Sequence, residues 1–545
     1  MKAKTAPAWT ENAVVYEIYP QTFYDSNDDG IGDLPGITAK LDYVQSLGVD
    51  AIWLNPFYGS PMKDAGYDVA DFYSVHPRYG SLDDARRLFA EAHARGLRVL
   101  IDFVPGHTAA EHPWFQASIE GHEPFKDWYV WTHSAWADGG EAWRAKMVHG
   151  MTPRNGNYLC NFFAHQPALN YGFAQPDQEW QLPVDHPNVQ KLWAEMKKVQ
   201  RFWLDLGADG FRIDMAGSII RQDAGHKAIR RFWRECREEI WEADGREDVF
   251  TVAEWSYPKA ALSGDGLHAD FLHWIPSYQT LFRAPEAKAF FHRNGQGDIS
   301  AFLKDYLEHY TATRGCGHIC IPLGNHDLSR INDGLSDPRE LELVHAFLLS
   351  MPGVPFLYYG DEIGMRQLPD VVPTREGCYP PRSGARTPMQ WSAAPNAGFS
   401  TASATQLWSP VDSAPNAPNV GAQEKDSTSL LQRIRQLIAV RRREPALRAS
   451  AAFTPVFAEP NAYPLIFARG EGADMALVLF NPADRAVEGG CALPPELADR
   501  AIGHRIVGAG AVTLCIAEGR LHWRAEGVSY ALVPINRKEA SINHS

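Results

Sequence analysis

The chain has 545 residues, 45% of them apolar and 12% aromatic, enough to bury a large core spread over two or three domains. With 52 Lys and Arg against 66 Asp and Glu, a net charge of −14, it lacks the basic surface that a nucleic-acid backbone requires. Seven cysteines, odd in number and scattered, do not form a disulfide framework, and the longest apolar run, "HAFLLSMPGVPFLYYG", is broken by Pro352 and Pro355 and is too short to cross a bilayer.

Taken in chain order, "VVYEIYP" (14–20) predicts a first strand. The loop after it, "DSNDDGIGD" (25–33), places oxygen ligands at alternate positions with Gly30 in sixth place, like the first part of a calcium loop. Asp25, Asn27, Asp29, the carbonyl of Ile31 and Asp33 would supply the oxygens. Gly36 in twelfth place rules out an EF-hand, and the plain alternative is a solvated turn. Further strands are predicted at "DAIWLNP" (50–56) and "RVLIDFVP" (98–105), with the helical pattern "LDDARRLFAEAHARG" between them. Residues 107–175, rich in Trp, His, Gly and Asn, read as an irregular insertion over one end of the fold. The helical pattern "VQKLWAEMKKVQRFWLDLG" precedes a fourth strand, "GFRID" (210–214). "VFTVAEW" (249–255), the weaker "ADFLHW" (269–274), "ICIPLGNHD" (319–327) and "VPFLYYGDE" (354–362) complete eight. Eight strands alternating with helices predict an α/β class (β/α)8 TIM barrel. Its parts are residues 1–106 and 176–445, with the inserted subdomain 107–175 after the third strand. "QLWSPVDSAPNAPNVGAQ" reads as a surface loop. From 446 to 545 the alternating runs "YPLIFARG", "MALVLFNPA" and "GVSYALVPI" predict a C-terminal β-sandwich.

In such barrels chemistry sits at the C-terminal strand ends. Asp102, Asp214, Glu254 and Asp327 fall there. One such acid is explained by a turn or a cap; four on one rim repel one another unless a site uses them. Glycosidic bond cleavage needs one carboxylic acid to protonate the leaving oxygen and one carboxylate to attack. Arg212 lies two residues from Asp214 and so on the same face of a strand, where it would keep that aspartate ionised. Glu254, after an apolar strand and before Trp255, stands where burial would keep it protonated.

At these residues the chain resembles glycoside hydrolase family 13, the α-amylase superfamily. The resemblance is narrower still to the branch of α-glucosidases, oligo-1,6-glucosidases and trehalose synthases. It rests on "DFVPGH" (102–107), "GFRIDMA" (210–216), "AEW" (253–255) and "GNHD" (324–327) in family order. "AVVYEIYPQTFYDSNDDGIGDLPGI" and "ARTPMQW" (385–391) match the narrower branch. The resemblance implies a retaining double displacement on α-glucosides. Asp214 would be the nucleophile, Glu254 the acid and then the base, and Asp327 the stabiliser of the transition state. Arg212 would orient the nucleophile, His107 and His326 would bond the sugar, and Asp64 and Tyr67 would close the pocket, Tyr67 by stacking. Arg386 would pair with the pocket aspartate and block one end of the site. The loop 25–33 would hold a structural Ca²⁺, with no catalytic cofactor.

Three positions depart from the family pattern. Gly106 replaces a usual asparagine, so a second calcium site is not expected; Ala168 replaces a usual aspartate; and Met215 fits neither linkage correlation, leaving α-1,4 and α-1,6 preference open. The main expectation is a cytoplasmic α-glucosidase on maltose-type oligosaccharides, since the N-terminal stretch lacks the apolar core of a secretory signal. The alternative is a transglycosylase or isomerase such as trehalose synthase, and the third reading a non-catalytic relative. The partner in each enzymatic case is a small α-glucoside, with neither nucleic acid nor membrane, and no oligomeric state is implied.

Overall fold

The computed structural model describes residues 6–537 except 264–265, 284–288, 296–297, 336, 370 and 372–379; the first five residues of the N-terminal stretch lie outside it. The eight predicted runs form strands β1 (Val15–Ile18), β2 (Ala51–Leu54), β3 (Arg98–Phe103), β4 (Gly210–Ile213), β5 (Phe250–Ala253), β6 (Ala269–Phe271), β7 (His318–Cys320) and β8 (Phe356–Tyr358). They make one parallel sheet in the order β7-β6-β5-β4-β3-β2-β1-β8, curled into a near-closed barrel with helices outside.

Alternation along each strand decides what faces the barrel axis. Val15, Ala51, Trp53, Leu100, Phe250, Val252, Ala269, Cys320 and Phe356 fill the interior as one packed cluster. Their neighbours Tyr16, Ile52, Ile101, Phe211 and Ile213 face the helices. One step further along the inward face the residues become Glu17, Asp102, Arg212, Asp214 and Glu254. The apolar plug at the base thus gives way to buried charge at the C-terminal ends.

The helices follow from their spacing. Pro187–Leu206 buries Val189, Leu192, Trp193, Met196, Val199 and Trp203 at three- and four-residue steps. Leu82–Ala94 starts at a capping box in which Ser81 accepts from Asp84 N. Between β3 and β4 the insertion contains a helix (Pro113–Ile119) and a short hairpin, Met147–Val148 with Tyr158–Leu159.

The C-terminal region is antiparallel. Its larger sheet runs Phe453–Phe457, Leu465–Glu471, Asp474–Asn481, Ser529–Arg537 and Arg500–Ile502, and a three-stranded sheet joins Val487–Ala492, Arg520–Ala525 and Val512–Ala517. Leu477, Leu479, Leu521, Trp523 and Val533 pack between them. The opposite face of the larger sheet, with Phe467, Val478 and Phe480, joins the main core against the barrel. No helix among the described residues is long and apolar enough to cross a membrane.

Candidate active site

Register assembles the site. Asp102 and Arg212 are direct partners across β3 and β4, and Ile213 pairs with Ala253 across β4 and β5. The next rung carries Asp214 and Glu254, whose backbone N–H groups donate to Phe103 O and Ile213 O at 2.9 Å each. Arg212, 1% exposed, therefore reaches three carboxylates. Its Nη1 donates to Asp102 Oδ1 at 2.7 Å and Asp214 Oδ1 at 2.9 Å, and its Nη2 lies 2.9 Å from Glu254 Oε2. The other oxygen of Asp214, Oδ2, is buried and makes no hydrogen bond among the described residues.

Met215, directly after Asp214, has a left-handed backbone (φ 45°), unusual for a side chain of its size, and its N–H donates to Glu254 Oε2 at 3.2 Å. The second oxygen of Glu254 accepts from the indole N–H of Trp274 at 2.9 Å.

Across the pocket Asp327 accepts from Arg382 Nη1 at 2.7 Å and Arg386 Nη2 at 3.0 Å, and lies 3.3 Å from His326 Nε2. His326 is held on its other side by Glu17 at 2.7 Å and is stacked on Tyr67, with ring centroids 5.2 Å apart. The Tyr67 hydroxyl also donates to Asp102 Oδ2 at 3.2 Å.

A cavity of about 510 Å³ opens over these groups, within the range of small-molecule sites. Of the expected residues, Asp64, Tyr67, His107, Asp214, Glu254 and Asp327 line it; Phe162, Met215, Gly217, Ser218, Trp255, Trp274 and Arg382 complete the wall. Gly217 is required by space: an added Cβ would lie 2.1 Å from the Trp255 indole.

Arg212, His326 and Arg386 are not among the residues that line it. The His326 ring nitrogens face Glu17, Tyr67 and Asp327. Arg386 pairs with Asp327 and donates to the His326 carbonyl at 2.6 Å, and its charge also acts on Asp64, which accepts from Gln166 Nε2 at 2.7 Å. His107 is also bonded within the protein, with Nε2 at 3.1 Å from the Tyr67 carbonyl and Nδ1 at 3.1 Å from Asn161 Nδ2. The same Asn161 amide would lie 2.8 Å from a Cβ at Gly106, so it occupies the space where the family's usual asparagine would point.

The two sides of the pocket differ electrically. Burial first, then the charge of Glu254, holds the Asp214 carboxyl well above the usual range despite Arg212. Burial acts on Glu254 too but is outweighed, chiefly by Arg212 with help from the Trp274 N–H, so its carboxyl lies below its ordinary value. Burial of Asp327 is overwhelmed by His326, Arg382 and Arg386, which hold its carboxyl well below the usual range. Burial opposes the charge of His326, but Asp327 and Glu17 raise it to about 9. Burial lowers His107 to about 4, leaving it neutral, and raises Asp64 to about 6.

The loop 25–33 is closed by its own turns. Asp25 accepts from the N–H groups of Asn27, Asp28 and Gly30 and from the Ser400 hydroxyl. Asn27 accepts from Asp29 N, Asp29 from Ile31 N, and Asp33 from Ser26 and Gly36 N. The donors suit a hard cation in kind. Among the described residues, however, no three His, Cys, Asp or Glu side chains converge as a metal cluster.

A parallel barrel whose C-terminal rim gathers three carboxylates and their cations over a sugar-sized cavity defines a carbohydrate-active enzyme of the (β/α)8 class. The chain belongs to the alpha-amylase family: the alpha amylase catalytic domain matches residues 17–450. It is 34% identical over 493 residues to the trehalose synthase/amylase of Mycolicibacterium smegmatis, spanning 82% of this chain and 78% of that one. It is 33% identical to a probable alpha-glucosidase of Rhizobium meliloti, spanning 88% and 90%. Its fold matches the crystal structure of the trehalulose synthase of Pseudomonas mesoacidophila with a TM-score of 0.77 at 26% identity, covering 97% of this chain and 99% of that one.

Proposed function

We propose that this chain is a retaining α-glucosyl-transferring enzyme on small α-glucosides, an isomerase or transglycosylase in which a sugar captures the glucosyl unit ahead of water. The observation that carries the covalent step is the division of labour at Asp214: Oδ1 is fixed by Arg212, and Oδ2, at the cavity beside Glu254, has no hydrogen-bond partner among the described residues.

The step balances as follows. Asp214 Oδ2 attacks the anomeric carbon, the bond to the leaving oxygen breaks, and Glu254 gives that oxygen its proton. The pair holds one proton between two coupled carboxyls. The charge of Arg212 and the positive charge growing at the anomeric carbon favour the anion of Asp214, which leaves that proton on Glu254 for the leaving oxygen. Asp327, kept anionic by its three cations, accepts from the sugar hydroxyls and stabilises the same charge. Glu254, now a base, takes the proton of the incoming hydroxyl, and the second inversion restores the α-configuration.

What the incoming hydroxyl belongs to depends on how well water is kept out. Likeness to the trehalose synthase/amylase and the trehalulose synthase supports sugar as the acceptor. Hydrolysis on the same intermediate is the second reading, favoured by the likeness to the probable alpha-glucosidase over nearly the whole chain. A non-catalytic role fits poorly with a full set of Asp214, Glu254 and Asp327.

The loop 25–33 is proposed as a structural calcium loop on its oxygen donors, taking no part in the reaction. A cytoplasmic location is proposed with it; the six cysteines among the described residues are all free, as a reducing compartment keeps them. An NMR time course with maltose tests the reaction. A new disaccharide or longer glucosides appearing ahead of glucose supports transfer; glucose alone, released first as the α-anomer, makes the enzyme a hydrolase.

A further inference from the structure

The segment that follows β6 is tied to the end of β5 with unusual completeness. Asp270, on β6, is fully buried and accepts from three consecutive N–H groups after Glu254: Trp255 at 3.0 Å, Ser256 at 3.2 Å and Tyr257 at 2.8 Å. Ser256, held in a left-handed backbone at φ 55°, returns the tie: its hydroxyl donates to Phe271 O at 3.0 Å and accepts from His273 N at 3.2 Å and Trp274 N at 2.9 Å. The brace ends at Trp274, whose indole N–H donates to Glu254 Oε1 while half of the residue, 49%, stays exposed on the cavity wall. One side chain thus touches both the catalytic carboxyl and the open side of the pocket.

We propose that Trp274 is a positioning residue for the acid–base step: braced by Ser256 and Asp270, its N–H fixes the orientation and proton affinity of Glu254, and its exposed ring forms the wall against which the departing and accepting sugar packs. This rests on the reading of Glu254 as acid and base. The charged and titratable groups facing Glu254 are Arg212 on β4, Asp214 just after it, Asp327 beyond β7, Asp270 on β6 and His273 just after it; the buried His273 ring is neutral, lowered to about 4 by burial. Arg212 supplies the fixed cation, and Trp274 is the neutral donor. A donor to a carboxylate favours its charged form, so removing it raises the proton affinity of Glu254.

The test is kcat/KM against pH for Trp274→Phe in the full-length enzyme, which keeps an aromatic wall and loses only the N–H. With maltose the alkaline limb, where the Asp214–Glu254 pair loses its shared proton, is expected to move up by about half a pH unit or more. The loss in kcat/KM is expected to be roughly tenfold larger on maltose than on an aryl α-glucoside, whose leaving group needs little protonation. Ser256→Ala, which keeps the indole and slackens the brace, should move the limb the same way by less. An unmoved limb in folded Trp274→Phe, or equal losses on both substrates, overturns the proposal. A fault in the underlying reading shows separately, as Glu254→Gln that still turns over maltose at the normal rate.

Discussion

The two sides of the pocket use buried charge in opposite ways. On the Asp214 side one guanidinium serves three carboxylates, Asp102, Asp214 and Glu254. On the Asp327 side three cations, His326, Arg382 and Arg386, serve one carboxylate. Shortage of positive charge leaves the first side with a proton that can be traded between nucleophile and acid; excess leaves the second with a charge that does not change near neutral pH. A double displacement needs one of each.

The sharpest way to break this contrast is Asp214→Asn, nearly isosteric and unable to form the ester. It should lower kcat on the order of 10⁴-fold or more in folded protein. Asp327→Asn leaves three cations without their anion and should cost roughly 10²–10³-fold in kcat/KM, measured on the same substrate. Asp64 sharpens the account through pH. Its carboxyl, raised to about 6, becomes the charged acceptor at the cavity only as pH rises through that value, so KM should fall over the same interval. Asp64→Asn should abolish that dependence.

Stability runs the other way at this residue. An acid whose folded value is raised costs stability once pH exceeds its unfolded value, with the full cost present above about 6. Asp64→Asn should therefore raise Tm at pH 7 more than at pH 4, and equal shifts would remove burial as the cause. The smallest effect belongs to the loop 25–33. If calcium sits there, metal analysis should find about one ion per chain, and chelation should lower Tm while barely changing kcat. Absence of calcium from purified protein would leave the loop as a turn closed by its own side chains.

The sequence made the Asp214 side legible because short-range rules govern it. "GFRID" and "AEW" are strand ends, and the period of two puts Arg212 and Asp214 on one face. The barrel was readable for the same reason, even at β6, where three residues suffice. The Asp327 side was only half legible. Arg382 lies in "PRSGAR", which has no periodicity, and reaches Asp327 through the long-range path of a loop. Trp274 does not stand out in the sequence, since nothing in "ADFLHW" tells a buried indole from one lying half open beside Glu254. In the C-terminal sheets the three apolar strands were apparent, whereas Val487–Ala492, with its paired glycines and exposed edge, carries no apolar alternation.

The most direct measurement is intact-protein mass spectrometry of Glu254→Gln after brief exposure to an α-glucosyl donor with a reactive leaving group. Such a donor forms the ester without an acid, and loss of the base slows its release. A glucosyl adduct on the peptide containing Asp214, absent when Asp214→Asn is added, is the expected result. Turnover of the donor with no adduct, or an adduct mapped to another carboxylate, would contradict the account.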